Sequence, residues 1–170
     1  NNIGWAWWNY KKIGTINAPV SSPTDPVYQE ILNYWGGSGL KPNFDRSLLG
    51  LNNMVENLKF ENCDLRKDVV ASLLSKDFQT KGIPYKSHSI PGKVEFVDYD
   101  LGSLGVAYYD RDFIDDRSDG GSYKAWNKGY RYRNDGVDIE VGGDEFYVSH
   151  TESGEFLKYT VTVSYTHLTL

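Results

Sequence analysis

The stretch Phe156-Leu-Lys-Tyr-Thr-Val-Thr-Val163 has the clearest structural period in the chain. In this stretch apolar residues (Leu157, Tyr159, Val161 and Val163) alternate with lysine and threonine. A period of two is typical of a half-buried β-strand. Weaker alternations of the same kind occur in three other segments, 94–98, 106–109 and 137–141. Glycine, aspartate and asparagine turns separate these segments. The pattern predicts an antiparallel β-sandwich over residues 93–163.

Before residue 78 the apolar residues recur with a helical period. We expect three helices, which begin after Pro26, near Phe44 and near Asp64. Pro26 follows Asp25, a good capping residue, and Gly36-Gly37 is typical of a helix end. The apolar stripe of the second helix consists of Leu48, Leu51, Val55 and Leu58. The other segments predict a buried strand over 3–8, a loop over 9–22 and a linker over 79–92.

The composition limits the classes of function. The chain has 170 residues, with 18 basic and 23 acidic side chains, and its net charge of −5 argues against a nucleic-acid partner. No apolar run approaches the roughly 18–20 residues needed to span a bilayer. Cys63 is the single cysteine and has no internal disulfide partner. Aromatic residues make up 15%, which suits stacking on flat apolar ligand faces such as those of sugars.

Four blocks in the second half resemble one known family. In chain order they are Ile90-Pro-Gly-Lys-Val-Glu-Phe-Val-Asp-Tyr-Asp100, Gly105-Val-Ala-Tyr-Tyr-Asp110, Tyr132-Arg-Asn-Asp-Gly-Val-Asp-Ile-Glu140 and Glu152-Ser-Gly-Glu-Phe-Leu-Lys-Tyr-Thr-Val161. Together they resemble the first half of a carbohydrate-binding module of family 6, which is a jelly-roll β-sandwich. The resemblance implies a truncated sandwich over residues 93–163 that binds a plant or microbial polysaccharide.

The first half resembles the carboxyl end of a glycoside hydrolase family 5 catalytic domain. The resemblance is carried by Gly4-Trp-Ala-Trp-Trp8, by segments 28–35 and 55–63, and by Asp68-Val-Val70. It implies that residues 1–78 are the last strand and helices of a (β/α)8 TIM barrel. Residues 164–170 resemble a translated sequencing adaptor; the alternative is an ordinary final strand. The first residue is not methionine and no signal peptide precedes it, so we expect the chain to begin partway through a longer protein.

The hydrolase resemblance implies a sugar-stacking role for Trp8, and less directly for Trp5, at the C-terminal end of the last barrel strand. The alternative is that these tryptophans pack the barrel wall. Retaining hydrolysis needs two carboxylates about 5–5.5 Å apart, which the family places upstream of this segment. We expect Glu30, Glu56 and Glu61 to be solvated surface charges. The chain itself should therefore be catalytically inactive, and no cofactor is required for catalysis.

The module resemblance implies further candidate residues. His150 stands where the family has the first stacking aromatic, and Tyr147 is close enough to compensate for it. A second aromatic and amide-rich loop contains Trp126 and Tyr130, which would widen the binding face. Glu95 retains one position of the family's structural calcium site, whereas valine follows where a second glutamate is expected. The acidic stretch 110–119 lacks the central glycine and final glutamate of an EF-hand, and we interpret it as a solvated loop.

The sequence thus predicts a fragment of a secreted polysaccharide-degrading glycoside hydrolase that carries a carbohydrate-binding module. The substrate would be a β-glucan, mannan or xylan, and the location extracellular, as the family implies. The alternatives are a non-catalytic glycan-binding or adhesin-type protein and a stand-alone structural protein. Because a half sandwich leaves strand edges open, we expect the isolated chain to fold poorly.

Overall fold

The computed structural model describes residues 6–111 and 132–164. Contacts divide the chain into two compact units, unit 1 (Asn1–Arg66) and unit 2 (Lys67–Leu170). This division falls before residue 78, where the sequence places the end of the barrel segment. None of the helices in the described ranges is long and apolar enough to cross a membrane. The TIM-barrel and jelly-roll assignments and their domain bounds stay predictions.

Unit 1 contains a small three-stranded sheet. Strand β1 (Lys11–Ile13) pairs in parallel with β2 (Val20–Ser22), which pairs antiparallel with β3 (Asp64–Leu65). The prediction of a loop over residues 9–22 is therefore wrong in part. Two short polar strands lie there because each supplies the other with backbone hydrogen-bond partners. The first expected strand, 3–8, lies only partly within the described residues, and 6–8 are irregular.

Two helices of unit 1 confirm the sequence prediction. Helix α1 (Pro26–Trp35) begins where Asp25 accepts a hydrogen bond from the Tyr28 amide at 2.7 Å. Helix α2 (Phe44–Asn57) begins where Asn43 accepts one from the Arg46 amide at 2.8 Å. Each side chain satisfies an amide that has no partner within its own helix, which fixes the first residue of the helix.

The apolar stripe expected on α2 is not buried. The buried residues of α2 are Gly50 and Met54, and a Cβ at Gly50 would lie 2.9 Å from the Tyr28 backbone nitrogen. The helices therefore approach closely at this glycine, whereas the stripe of Leu48, Leu51, Val55 and Leu58 is exposed. Helix α1 packs against the face of α2 that carries Gly50 instead of against the stripe.

Among its described residues, unit 2 begins with helix α3 (Lys67–Leu74) and continues with six short strands. The helix starts later than Asp64 because Asp64 and Leu65 pair with β2 instead. The strands are β4 (His88–Ile90), β5 (Tyr108–Tyr109), β6 (Ile139–Gly142), β7 (Glu145–Val148), β8 (Phe156–Leu157) and β9 (Val161–Val163). They form three pairs: β4 parallel with β9, β5 antiparallel with β8, and β6 antiparallel with β7.

The predicted strand 156–163 is two strands that belong to different pairs. Between them, Asp100 accepts hydrogen bonds from the Thr160 amide at 2.9 Å and from its hydroxyl at 2.7 Å. These bonds satisfy the backbone without a continuous partner strand, so the single-strand prediction is wrong. The segment predicted as a linker, 79–92, contains β4, and its role as a linker stays a prediction. Segment 94–98 forms a 3-10 turn at Phe96–Asp98 rather than a strand.

A buried arginine occupies the core of unit 2. The Arg133 side chain is fully buried, and its guanidinium lies 3.6 Å from the centroid of the Tyr99 ring. It donates hydrogen bonds to the carbonyls of Tyr99 and Asp100 and to the Asp135 carboxylate, which also accepts from the Tyr99 hydroxyl. Burial is the largest single effect and opposes the charged form, but Asp135, Tyr99 and Tyr85 together outweigh it and hold the pKa of Arg133 above its usual value.

Substitution of this arginine tests its structural role. Arg133→Met removes the guanidinium that pairs with the Asp135 carboxylate and donates to the carbonyls of Tyr99 and Asp100. Breaking a buried pair on one side costs about 3–5 kcal/mol, so we expect the free energy of unfolding in urea to fall by that amount. The matched control is Arg46→Met, which removes an exposed pair with Glu30 and should change stability little. Equal losses in the two variants would contradict the prediction.

Burial is the largest cause of the raised pKa values of Tyr99, Tyr108, Tyr132 and Tyr159 in unit 2. For Tyr159 the pKa rises from 10.0 to about 12. The folded state therefore holds phenolic protons that the unfolded chain releases at lower pH. Stability should be intact below pH 10 and lost as the pH rises toward 12.

Tyrosinate absorbance and circular dichroism followed together against pH should show these phenols ionising only as the chain unfolds. Tyr159→Phe should release about one proton fewer in that transition. Ionisation of all the tyrosines near pH 10 with no loss of structure would refute the prediction.

Candidate functional site

A cleft of about 430 Å³ opens on unit 2, which we call the aromatic cleft. Its size falls within the range of small-ligand sites. Four aromatic side chains line it, Phe96, Tyr109, Phe156 and Tyr159, above an apolar floor of Val137, Val148 and Leu157. The remaining lining residues are polar: Asp110, Thr151, Glu152 and Glu155.

The strand pairing positions the aromatic wall. Tyr109 and Phe156 are partners in the β5–β8 register, and their rings stack with centroids 6.3 Å apart and planes 21° apart. Phe96 is 74% exposed, and its carbonyl accepts a hydrogen bond from the Tyr159 hydroxyl at 2.9 Å. This bond ties the turn that carries Phe96 to Tyr159. The wall therefore combines a fixed pair of rings with an accessible third ring.

A hydrogen-bonded turn at 151–155 holds the acidic side of the cleft. Glu155 accepts a hydrogen bond from the Glu152 amide at 2.7 Å through one oxygen and from the Arg111 amide at 2.9 Å through the other. The Arg111 guanidinium also pairs with Glu152 at 3.2 Å. Gly154 adopts a φ of +95° within this turn, which favours glycine. These contacts fix the direction of the Glu155 carboxylate before a ligand binds.

Two residues predicted from the sequence, Tyr147 and His150, lie close to each other in unit 2. Their common partner is Glu140, which accepts a hydrogen bond from the Tyr147 hydroxyl at 2.9 Å and lies 3.1 Å from Nε2 of His150. The hydrogen bond to Glu140 is the largest cause that raises the pKa of Tyr147. Neither side chain is among the residues that line the aromatic cleft. Tyr147 lies on the exposed face of β7, whereas Phe146 and Val148 face the core.

The other sequence candidates have different surroundings. Trp8 is 89% exposed in unit 1. Trp5, Trp126 and Tyr130 lie outside the described residues. Glu56 is exposed and pairs with Lys59, and Glu30 pairs with Arg46. The roles predicted for Trp8 and for the candidates outside the described ranges stay predictions.

Glu95, which is predicted to keep one position of a calcium site, has a cationic partner. Its carboxylate pairs with Lys93, and this hydrogen bond raises the pKa of Lys93. Val97 is buried and adds no side-chain oxygen. Calcium needs about six to eight oxygens, and no cluster of three or more metal-binding side chains occurs within residues 6–111 and 132–164. We derive no step through a metal ion.

No protein-family model, curated protein or solved structure matches the chain. The resemblance to two carbohydrate-active families is therefore carried by the motifs of the sequence itself, and it stays a prediction.

Sequence reasoning missed the aromatic cleft. One signal for it was present in Tyr108-Tyr109, since neighbouring residues of a strand face opposite sides. Tyr108 is 3% exposed and Tyr109 is 41% exposed, so the second ring of the pair is available to a ligand. Phe96 gave no such signal, because its exposure depends on a turn where the sequence predicts a strand.

Proposed function

We propose that this chain binds polysaccharides through the aromatic cleft of unit 2, as part of a secreted polysaccharide-degrading glycoside hydrolase. The observation that carries the proposal is that Phe96, Tyr109 and Phe156 line the same cleft as Glu152 and Glu155. The apolar face of a pyranose stacks on aromatic rings, while its hydroxyls donate hydrogen bonds to carboxylates. Both kinds of group are present on the walls of one cavity.

Separate contacts hold the aromatic residues that line the cleft. Strand pairing fixes Tyr109 and Phe156, and the Tyr159 hydroxyl fixes the turn of Phe96. Rings that are already in place lose little conformational entropy when a sugar stacks on them. Hydroxyl recognition is similarly preorganised, because backbone amides orient Glu155.

The hydrolase part of the proposal rests on unit 1. Its motifs resemble the end of a barrel domain, and the exposed apolar stripe of α2 supports a place in a larger fold. In the proposed parent, two carboxylates outside this chain cleave the glycosidic bond by the retaining mechanism. Glu30 and Glu56 have cationic partners on the surface, which supports the prediction that they are surface charges and not catalytic groups.

A non-catalytic glycan-binding or adhesin-type protein is the second candidate. The observation in its favour is that the features suited to sugar lie in unit 2, where binding needs no catalytic group. The two candidates differ in the catalytic carboxylate pair, which the complete reading frame of the source DNA would contain or lack.

Affinity electrophoresis of the 170-residue chain in gels with soluble β-glucan, mannan or xylan tests the binding proposal. We expect at least one polysaccharide to retard the chain. Phe96→Ala and Tyr109→Ala should each weaken that binding about tenfold, because each removes a stacking surface worth about 1.4 kcal/mol. Circular dichroism checks that the variants keep the wild-type fold.

Phe60→Ala is the matched control, since Phe60 is an exposed phenylalanine of unit 1 that does not line the cleft. It should bind like the wild type. Mobility that no polysaccharide changes, or cleft variants that bind like the Phe60 variant, would overturn the proposal.

A further inference from the structure

Helix α2 and its C-terminal cap carry a continuous apolar seam in unit 1. Its residues recur at alternating spacings of four and three, which is the spacing of the a and d positions in successive heptads. All of them are between 40% and 79% exposed. They are Phe44, Leu48, Leu51, Val55 and Leu58, which we call the α2 seam. Helix α1 packs at Gly50, on a different face of α2, and so leaves the seam accessible.

The spacing of the α2 seam is complementary to itself when the helix is reversed. In an antiparallel helix pair, each a position lies opposite a d position of the partner. A two-fold axis between Leu48 and Leu51 would place each of these leucines opposite the other one in a second copy. The same axis would place Phe44 opposite Val55, which pairs a large side chain with a small one. Both copies would then contribute the same surface, as a two-fold contact requires.

Charged residues beside the seam favour the same arrangement. Asp45 lies in the first turn of α2, and Lys59 follows the cap residue of the helix. Both are exposed, and they lie on the same side of the seam because they are two heptads apart. In the antiparallel pair, Asp45 of each copy would face Lys59 of the other, which already pairs with Glu56 of its own chain at 2.7 Å. A parallel pair would instead place like charges, and like ends of the helix dipoles, together.

We infer that this chain forms an antiparallel two-fold dimer through the α2 seam, with a second copy of the chain as the partner. The inference concerns unit 1 and does not depend on glycan binding by unit 2. The dimer should be weak, because so short a seam buries roughly a few hundred Å² on each copy, against about 800 Å² in a standard interface. We therefore expect a dissociation constant of about 10–100 µM.

Sedimentation velocity of the 170-residue chain, over a range of about 5–500 µM that brackets the expected dissociation constant, tests the inference. We expect a shift from monomer to dimer with no larger species. Leu51→Lys would bring two ammonium groups close to the two-fold axis and should weaken dimerisation at least about tenfold. Leu49→Lys is the matched control, because Leu49 is on the same helix and 47% exposed, against 46% for Leu51, but lies outside the seam. It should dimerise like the wild type.

Charge reversal tests the direction of the two helices. Asp45→Lys and Lys59→Asp should each weaken the dimer several-fold, because each turns two attractive pairs into repulsive ones. The double variant restores opposite charges and should regain most of the wild-type affinity. Each substitution also has a cost within its own chain, at the helix start or beside Glu56, and the double variant has both costs. Regained affinity would therefore come from the pairs between the copies, and circular dichroism checks that the helix content is kept.

The outcomes separate a second copy from the other occupant of the seam, the larger fold of the hydrolase proposal. A chain that stays monomeric over the whole concentration range would overturn the dimer and leave that larger fold as the occupant. Equal effects of the Leu51 and Leu49 variants would also overturn it, because the contact would then lie elsewhere. A double charge variant that regains no affinity would overturn the antiparallel arrangement. A dimer with the expected variants would remove the seam as support for the barrel assignment, and the polysaccharide gels would still decide glycan binding separately.

Discussion

The Arg133 guanidinium organises unit 2, because it joins segments that no sheet in the described part of the chain connects. It donates to the carbonyls of Tyr99 and Asp100 and to the carboxylate two residues after itself. The Asp100 side chain in turn holds the Thr160 backbone. A buried cation needs several well-placed acceptors, and meeting that need fixes the chain near residues 100, 133 and 160 in one arrangement. The pairs of short strands are built around this polar centre.

The aromatic cleft depends on the same centre. Phe96 and Tyr159 lie within a few residues of the segments that the guanidinium and Asp100 hold in place. Tyr99 and Tyr108 are in edge-to-face contact in the core, with ring centroids 5.6 Å apart, and the exposed ring of Tyr109 follows directly. The core face and the ligand face are thus made by alternate residues of the same short segments. A substitution in the core would therefore also shift the positions of the rings that we assign to sugar stacking.

Local signals determined which parts could be predicted. Asp25 and Pro26 define the start of α1, since capping and a fixed proline φ act within one turn of helix. The prediction of one strand over 156–163 was wrong because the backbone of Thr160 donates to the side chain of Asp100, which lies far away in the chain. The face of α2 that is buried could not be predicted from the leucine stripe for a similar reason. The close approach of α1 at Gly50 buries a different face. For the site, the motifs led to Tyr147 and His150, whereas the cleft required knowing which side of each turn is exposed.

The parallel pairing of β4 with β9 bears on how the chain acquires its fold during synthesis. His88–Ile90 pairs with Val161–Val163, so the two partners are far apart along the chain. Contacts of such long sequence separation form slowly, because a large loop must close before they contribute. The ribosome synthesises β4 well before its partner strand. The backbone hydrogen-bonding groups of β4 that pair with β9 therefore have no strand partner until Val163 has left the ribosome. The β4–β9 pair therefore forms only after residue 163 has been translated, and β4 is exposed to aggregation until then.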